Sequence, residues 1–97
     1  MKPVEIYVKE DCAACARARQ LLMLKGALFR EIDITFADDR RREMVDRSGG
    51  RTETPQVFIG GELIGSYDAL RSLEETGELD RKLSWTGDPD DLRQNRV

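Results

Sequence analysis

The chain has 97 residues, of which 36% are charged and only 6% aromatic, with a formal net charge of -3. That length accommodates one hydrophobic core, and so little aromatic surface limits it mainly to Leu, Ile, Val and Ala, as suits a small two-layer domain. With no basic excess there is no electrostatic basis for general binding to nucleic acid or to an anionic membrane, so small molecules or proteins are the expected partners.

The opening MKPVEIYVKE lacks the apolar stretch of a secretory signal, and no window approaches the ~20 apolar residues of a membrane span, so a cytoplasmic location is expected. Val4, Ile6 and Val8 alternate with Glu5, Tyr7 and Lys9, a period of two that predicts a first strand ending near Lys9, its β-branched residues on one face. From Ala13 the spacing becomes helical: Ala14, Ala18, Leu21, Leu22 and Lys25 share a stripe, and Gly26 is the expected C-cap. Leu28, Ile32 and Ile34 restore an extended pattern, completing a strand-helix-strand unit.

Thr35 and Asp38 have the spacing of a capping box for a helix over Asp38 to Arg47, with Met44 and Val45 turned inward and Gly49-Gly50 ending it. Its DDRRRE run mixes signs at helical spacing and reads as a solvated face. Gln56 to Ile59 and Glu62 to Ile64 flank Gly60-Gly61, a dipeptide suited to the positive φ angles of a two-residue hairpin. A third helix should begin around Ser66 to Asp68, bury Leu70 and Leu73 and stop at Gly77, with one more turn over Leu79 to Leu83. The resulting fold class is α/β: a mixed four-stranded sheet flanked by helices, occupying residues 1–84. The polar segment 85–97 is expected to be a flexible tail.

Cys12 and Cys15 fall where the first strand gives way to the first helix. A loop this short makes a poor structural staple, because it constrains the unfolded chain little, and a reducing cytoplasm disfavours it further. Zinc needs about four ligands, and the chain has no histidine and no third cysteine. Redox chemistry is the reading that remains strongest. At the helix start, unpaired N–H groups and the positive end of the helix dipole favour a thiolate at Cys12, the expected nucleophile. Cys15, one turn later with Cβ atoms within ~5–6 Å, is the expected resolving thiol.

The segments VEIYVKEDCAACARARQLL and SGGRTETPQVFIGGELIGSYDAL resemble a bacterial glutaredoxin of the small, single-domain dithiol kind, over about Val4 to Leu83. Three elements carry the likeness: the cysteine pair after a strand, Thr54-Pro55 before a strand, and Gly65 to Asp68 opening a helix. The resemblance implies a thioredoxin-like fold and a cis-proline at Pro55 that presents the Thr54 backbone to substrate. Without it, an ordinary trans proline starting an edge strand is the default, since only about 5–6% of X-Pro bonds in folded proteins are cis. It also implies that Ser66, Tyr67 and Asp68 hold the γ-glutamyl end of glutathione and that Lys9 meets the glycyl carboxylate. Simple N-capping competes as the role of Asp68, and a solvated strand end as that of Lys9.

The sequence departs from the family pattern at Ala13 and Ala14, where relatives commonly carry proline and an aromatic residue, at Glu53 in place of a frequent threonine, and at Tyr67 in place of a smaller residue. The implied function is glutathione-dependent reduction of protein disulfides and glutathione mixed disulfides by a monomer, with glutathione as co-substrate and no metal required. The alternative implied by the family is a dimer holding a [2Fe-2S] cluster through Cys12 of each subunit and two glutathiones. A protein of this shape that takes electrons from a thioredoxin reductase is a third reading, opposed by Lys9 and Asp68.

Overall fold

The computed structural model describes residues 1–84; the flexible tail expected over 85–97 lies outside the described residues. The elements in chain order are β1 (Val4–Val8), α1 (Ala13–Leu24), β2 (Phe29–Asp33), α2 (Asp38–Arg47), β3 (Gln56–Ile59), β4 (Glu62–Gly65), α3 (Tyr67–Thr76) and α4 (Glu78–Leu83). The strands form one sheet in the order β2-β1-β3-β4. β1 runs parallel to β2, with Val4 opposite Phe29, and antiparallel to β3, with Val4 opposite Ile59; β3 and β4 form the expected hairpin. Gly60 and Gly61, at φ 58° and 82°, make its turn in the conformation that glycine adopts at no steric cost.

The sheet is covered on both faces, so the domain has three layers rather than the two that composition suggested. On one face Val4, Ile6, Val8, Val57 and Ile59 pack against Cys15, Ala18 and Leu22 of α1, Leu70 of α3, and Leu79 and Leu83 of α4. On the other, Tyr7, Ile32, Ile34 and Phe58 pack with Met44 of α2. Tyr7, on the polar side of the β1 alternation, is fully buried because β1 is an interior strand with a helix over each face. Its hydroxyl donates to Glu43 and accepts from Arg47 at 2.8 Å. Burial and the Glu43 carboxylate both raise the Tyr7 pKa, while the same bond holds the Glu43 carboxyl below its ordinary value.

Two further expectations are corrected. Leu28 is 89% exposed, because β1–β2 pairing begins at Val4 and Phe29 and leaves residue 28 beyond the end of the paired strands. The Thr35 capping box does not form: Ala37 is the N-cap of α2 and makes no side-chain bond, while Asp38 and Asp39 complement the dipole of the first turn. The expected solvated run is exposed over Asp38 to Arg42, with ion pairs between Arg42 and Asp39 and between Arg40 and Glu43.

Thr35 is instead a tie between loops. Its amide and hydroxyl donate to one oxygen of Asp33 at 2.8 and 2.6 Å, and its hydroxyl oxygen accepts the Glu10 N–H at 2.9 Å, bracing the segment that leads to Cys12. These bonds from the Thr35 hydroxyl and amide lower the Asp33 pKa from its ordinary 3.8. A carboxylate depressed by folding stabilises the fold above its unfolded pKa and loses that contribution as the pH falls through the lower folded value. Thr35→Val should therefore melt below wild type at neutral pH, and the gap should narrow as the pH falls below 3.8, leaving the part owed to the lost Glu10 bond. A Tm gap that persists unchanged in acid would show that the hydroxyl acts through the Glu10 bond and packing and not through Asp33.

Candidate active site

β1 ends at Val8, and Lys9, Glu10 and Asp11 carry the chain across the carboxyl edge of the sheet to α1. Asp11 adopts φ 55°, a left-handed conformation that Asp tolerates better than most residues, and this turn sets Cys12 as the N-cap of α1. In the cap position Cys12 Sγ accepts the Cys15 N–H at 3.1 Å, satisfying one of the amides left open at a helix start. Sulfur here stands where a serine or aspartate oxygen commonly does, so the helix start directs its donor at the reactive atom.

The Cα atoms of Cys12 and Cys15 are 5.2 Å apart and their sulfurs are paired as a disulfide. The two differ in exposure: Cys12 is partly open to solvent, whereas Cys15 is fully buried against the β1 face. Across from them lies the turn before β3. The Thr54 hydroxyl donates to Cys12 Sγ at 3.6 Å, the Thr54 carbonyl oxygen lies 3.7 Å from the same sulfur, and the Thr54-Pro55 peptide is cis. Gln56, fully buried at the start of β3, braces this turn by donating from Nε2 to the Glu53 carbonyl at 3.0 Å and to the Glu53 carboxylate at 3.3 Å. An electrophile reaching Cys12 would therefore meet the Thr54 backbone on one side and the amides of α1 on the other.

Beside the cysteines a cleft of about 340 Å³ opens, lined by Ala14, Arg17, Thr54, Pro55, Ser66, Tyr67, Asp68 and Arg71. It runs between α1 and α3, with the cis-proline turn as its floor. Five of the six residues expected at the glutathione site line it. The sixth, Lys9, is exposed just past β1 and is not among the lining residues. Ser66 is the N-cap of α3, its hydroxyl accepting the Ala69 N–H at 3.4 Å, which leaves the Asp68 carboxylate out of the capping role. Arg17, Arg71 and Gln56 were missed by the sequence reading. Arg71 could have been found from its position one turn after Asp68, on the same helical face.

A redox-paired Cys-Ala-Ala-Cys on a strand-to-helix junction, opposed by a cis-proline on a four-stranded mixed sheet, defines a thiol-disulfide oxidoreductase of thioredoxin-like fold. A family model described as Glutaredoxin matches residues 4–64, more than half of the chain. The chain is 48% identical over 80 residues to Glutaredoxin 3 of Escherichia coli (strain K12), covering 82% of this chain and 95% of that one. Among solved structures it is similar to the solution structure of a glutaredoxin from Brucella melitensis, with 47% identity, a TM-score of 0.75, and coverage of 86% of this chain and 89% of that chain. A crystal structure of a buckwheat glutaredoxin-glutathione complex is 27% identical with a TM-score of 0.76, over 84% of this chain and 76% of that one. The chain belongs to the glutaredoxin family and is a glutaredoxin-type oxidoreductase. No helix among the described residues is long and apolar enough to cross a membrane.

Proposed function

We propose that this glutaredoxin reduces glutathione mixed disulfides and protein disulfides with glutathione as the electron donor, Cys12 being the nucleophile and Cys15 the resolving thiol. The observation that carries the reading is the partly exposed Cys12, its sulfur held by the Cys15 amide beside a cleft floored by Thr54-Pro55, with Cys15 buried behind it. The Cys12 thiolate attacks the substrate disulfide, one sulfur of which leaves as a thiolate, and a Cys12 mixed disulfide forms. A glutathione thiolate then attacks that disulfide and restores Cys12, or Cys15 attacks it and closes the intramolecular disulfide. Two electrons pass to the substrate in either case, supplied in the end by two glutathione thiols that become one disulfide.

In this reading the Thr54 backbone aligns the glutathione cysteine, the amides at the start of α3 near Ser66 and Tyr67 meet the γ-glutamyl carboxylate, and Asp68 pairs with its ammonium. Lys9 stays outside the cleft and acts at its rim on the glycyl carboxylate as a mobile, solvated charge. The similarity to a buckwheat glutaredoxin-glutathione complex supports glutathione as the ligand. We take residues 1–84 as the working domain, acting as a monomer in a reducing cytoplasm. The comparisons do not favour the cluster-bridged dimer as an alternative.

The test is reduction of a small glutathione mixed disulfide by purified protein, coupled to NADPH oxidation through glutathione reductase. Saturable, glutathione-dependent turnover is expected. A protein that is reduced by dithiothreitol but not by glutathione would place its electron source elsewhere and sink this assignment.

A further inference from the structure

The charges lining the cleft do not balance for glutathione alone. Two guanidiniums, Arg17 on α1 and Arg71 on α3, face a single carboxylate, Asp68, in a chain whose net charge is -3. In the reading above, the two carboxylates of glutathione are met by Lys9 and by the α3 amides, and its ammonium by Asp68, which leaves both arginines unassigned. Arg17 makes no ion pair or hydrogen bond among the described residues. Arg71 pairs with Glu75 at 3.1 Å, but both side chains are more than half exposed, so the contact is weak and readily exchanged for another carboxylate. Ala14, small where relatives carry an aromatic side chain, leaves the space between the two helices open.

We infer that Arg17 and Arg71 form a two-sided carboxylate clamp that selects protein disulfides flanked by acidic residues. The inference rests on the thiol-disulfide chemistry proposed above and adds its substrate preference. An extended peptide whose cysteine is attacked by Cys12 places the residues next to that cysteine along the cleft, where an Asp or Glu reaches guanidiniums on both walls. Fixed charges of this kind act on encounter and on the stability of the complex more than on the chemical step, so the preference belongs in the apparent affinity for the peptide.

The test is single-turnover reaction of prereduced full-length protein with peptide disulfides identical except for flanking Glu, Gln or Lys, followed by acid quench and mass analysis. The Cys12 thiolate attacks, a peptide thiolate leaves, and Cys15 displaces the second thiolate as the Cys12–Cys15 disulfide forms, so no glutathione is needed. Wild type should prefer the Glu peptide over the Lys peptide roughly tenfold at low ionic strength, and less at high salt. The double substitution Arg17→Glu and Arg71→Glu should invert the order, a gain on the Lys peptide that misfolding cannot produce. Single Arg→Gln changes should each compress the ratio. A wild type without charge preference overturns the clamp, as does a preference unchanged in the reversed variant or an equal loss on all three peptides. Failure of glutathione to restore the oxidised protein, scored by adding glutathione to a portion of each reaction withheld from the quench, would count against the electron donor and leave the charge ratio readable.

Discussion

Cys12→Ser should abolish turnover of glutathione mixed disulfides, a loss on the order of a thousandfold or more, whereas Cys15→Ser should keep activity within about tenfold of wild type on the same substrate. The asymmetry follows from the proposed roles and from position. Cys12 is partly exposed, and its Sγ is the atom that the Cys15 amide and the Thr54 hydroxyl both address. A serine hydroxyl there accepts the same bonds but is scarcely ionised at neutral pH and forms no disulfide. Cys15 is fully buried and cannot meet a bulky substrate first. With a mixed disulfide already on Cys12, glutathione in solution can do what Cys15 does, so the Cys15 variant loses mainly the reduction of intramolecular protein disulfides. The measurement is steady-state turnover of both variants with trapping of the Cys12 adduct in Cys15→Ser. Equal loss in the two, or survival of the Cys12 variant, would overturn the assignment.

The largest expected effect on stability lies on the opposite face of the sheet. Phe58→Ala should cost about 3–5 kcal/mol in urea denaturation, against a total of about 5–15 kcal/mol for a domain of this kind. Phe58 is 2% exposed, meets Tyr7 edge-on with ring centroids 5.8 Å apart, and lies under the Arg47 guanidinium at 4.0 Å. Arg47 also holds the Tyr7 hydroxyl and the Glu5 carboxylate, each at 2.8 Å, and these partners raise its own pKa, Glu5 most. Truncating the ring opens a cavity between sheet and α2 and withdraws the aromatic face beneath a partly buried charge, so the cavity and cation-π losses add. Phe58→Leu, which conserves most of the volume, should cost less than about 1.5 kcal/mol. A loss below about 1 kcal/mol for the alanine variant would show that α2 repacks onto the sheet without the ring.

Most of the chain was legible because its local signals agree. Alternation gave β1, helical spacing gave α1 and α2, a Gly-Gly turn placed the hairpin, and Gly77, at φ 80°, ends α3 where expected. The cysteine pair was legible for the same reason: its position at the start of α1 follows from where one periodicity stops and the next begins. The cis bond at Pro55 was not readable from residue type, and came only with the resemblance to glutaredoxins.

What the linear pattern could not supply is which faces meet. Tyr7 reads as the polar side of a half-exposed strand until β2 and β3 flank it and α2 closes over it. Thr35 reads as a helix cap until Glu10, 25 residues earlier, offers its amide. Arg17 and Arg71 read as two more surface charges, and only the approach of α1 to α3 makes them opposite walls of one cleft. The sequence by itself determined the elements and the redox pair, because propensity, turn chemistry and helix-start electrostatics act over a few neighbouring residues. Tertiary structure alone decided the buried polar cluster, the loop tie and the charge of the cleft, because burial and pairing depend on residues that are distant in the chain.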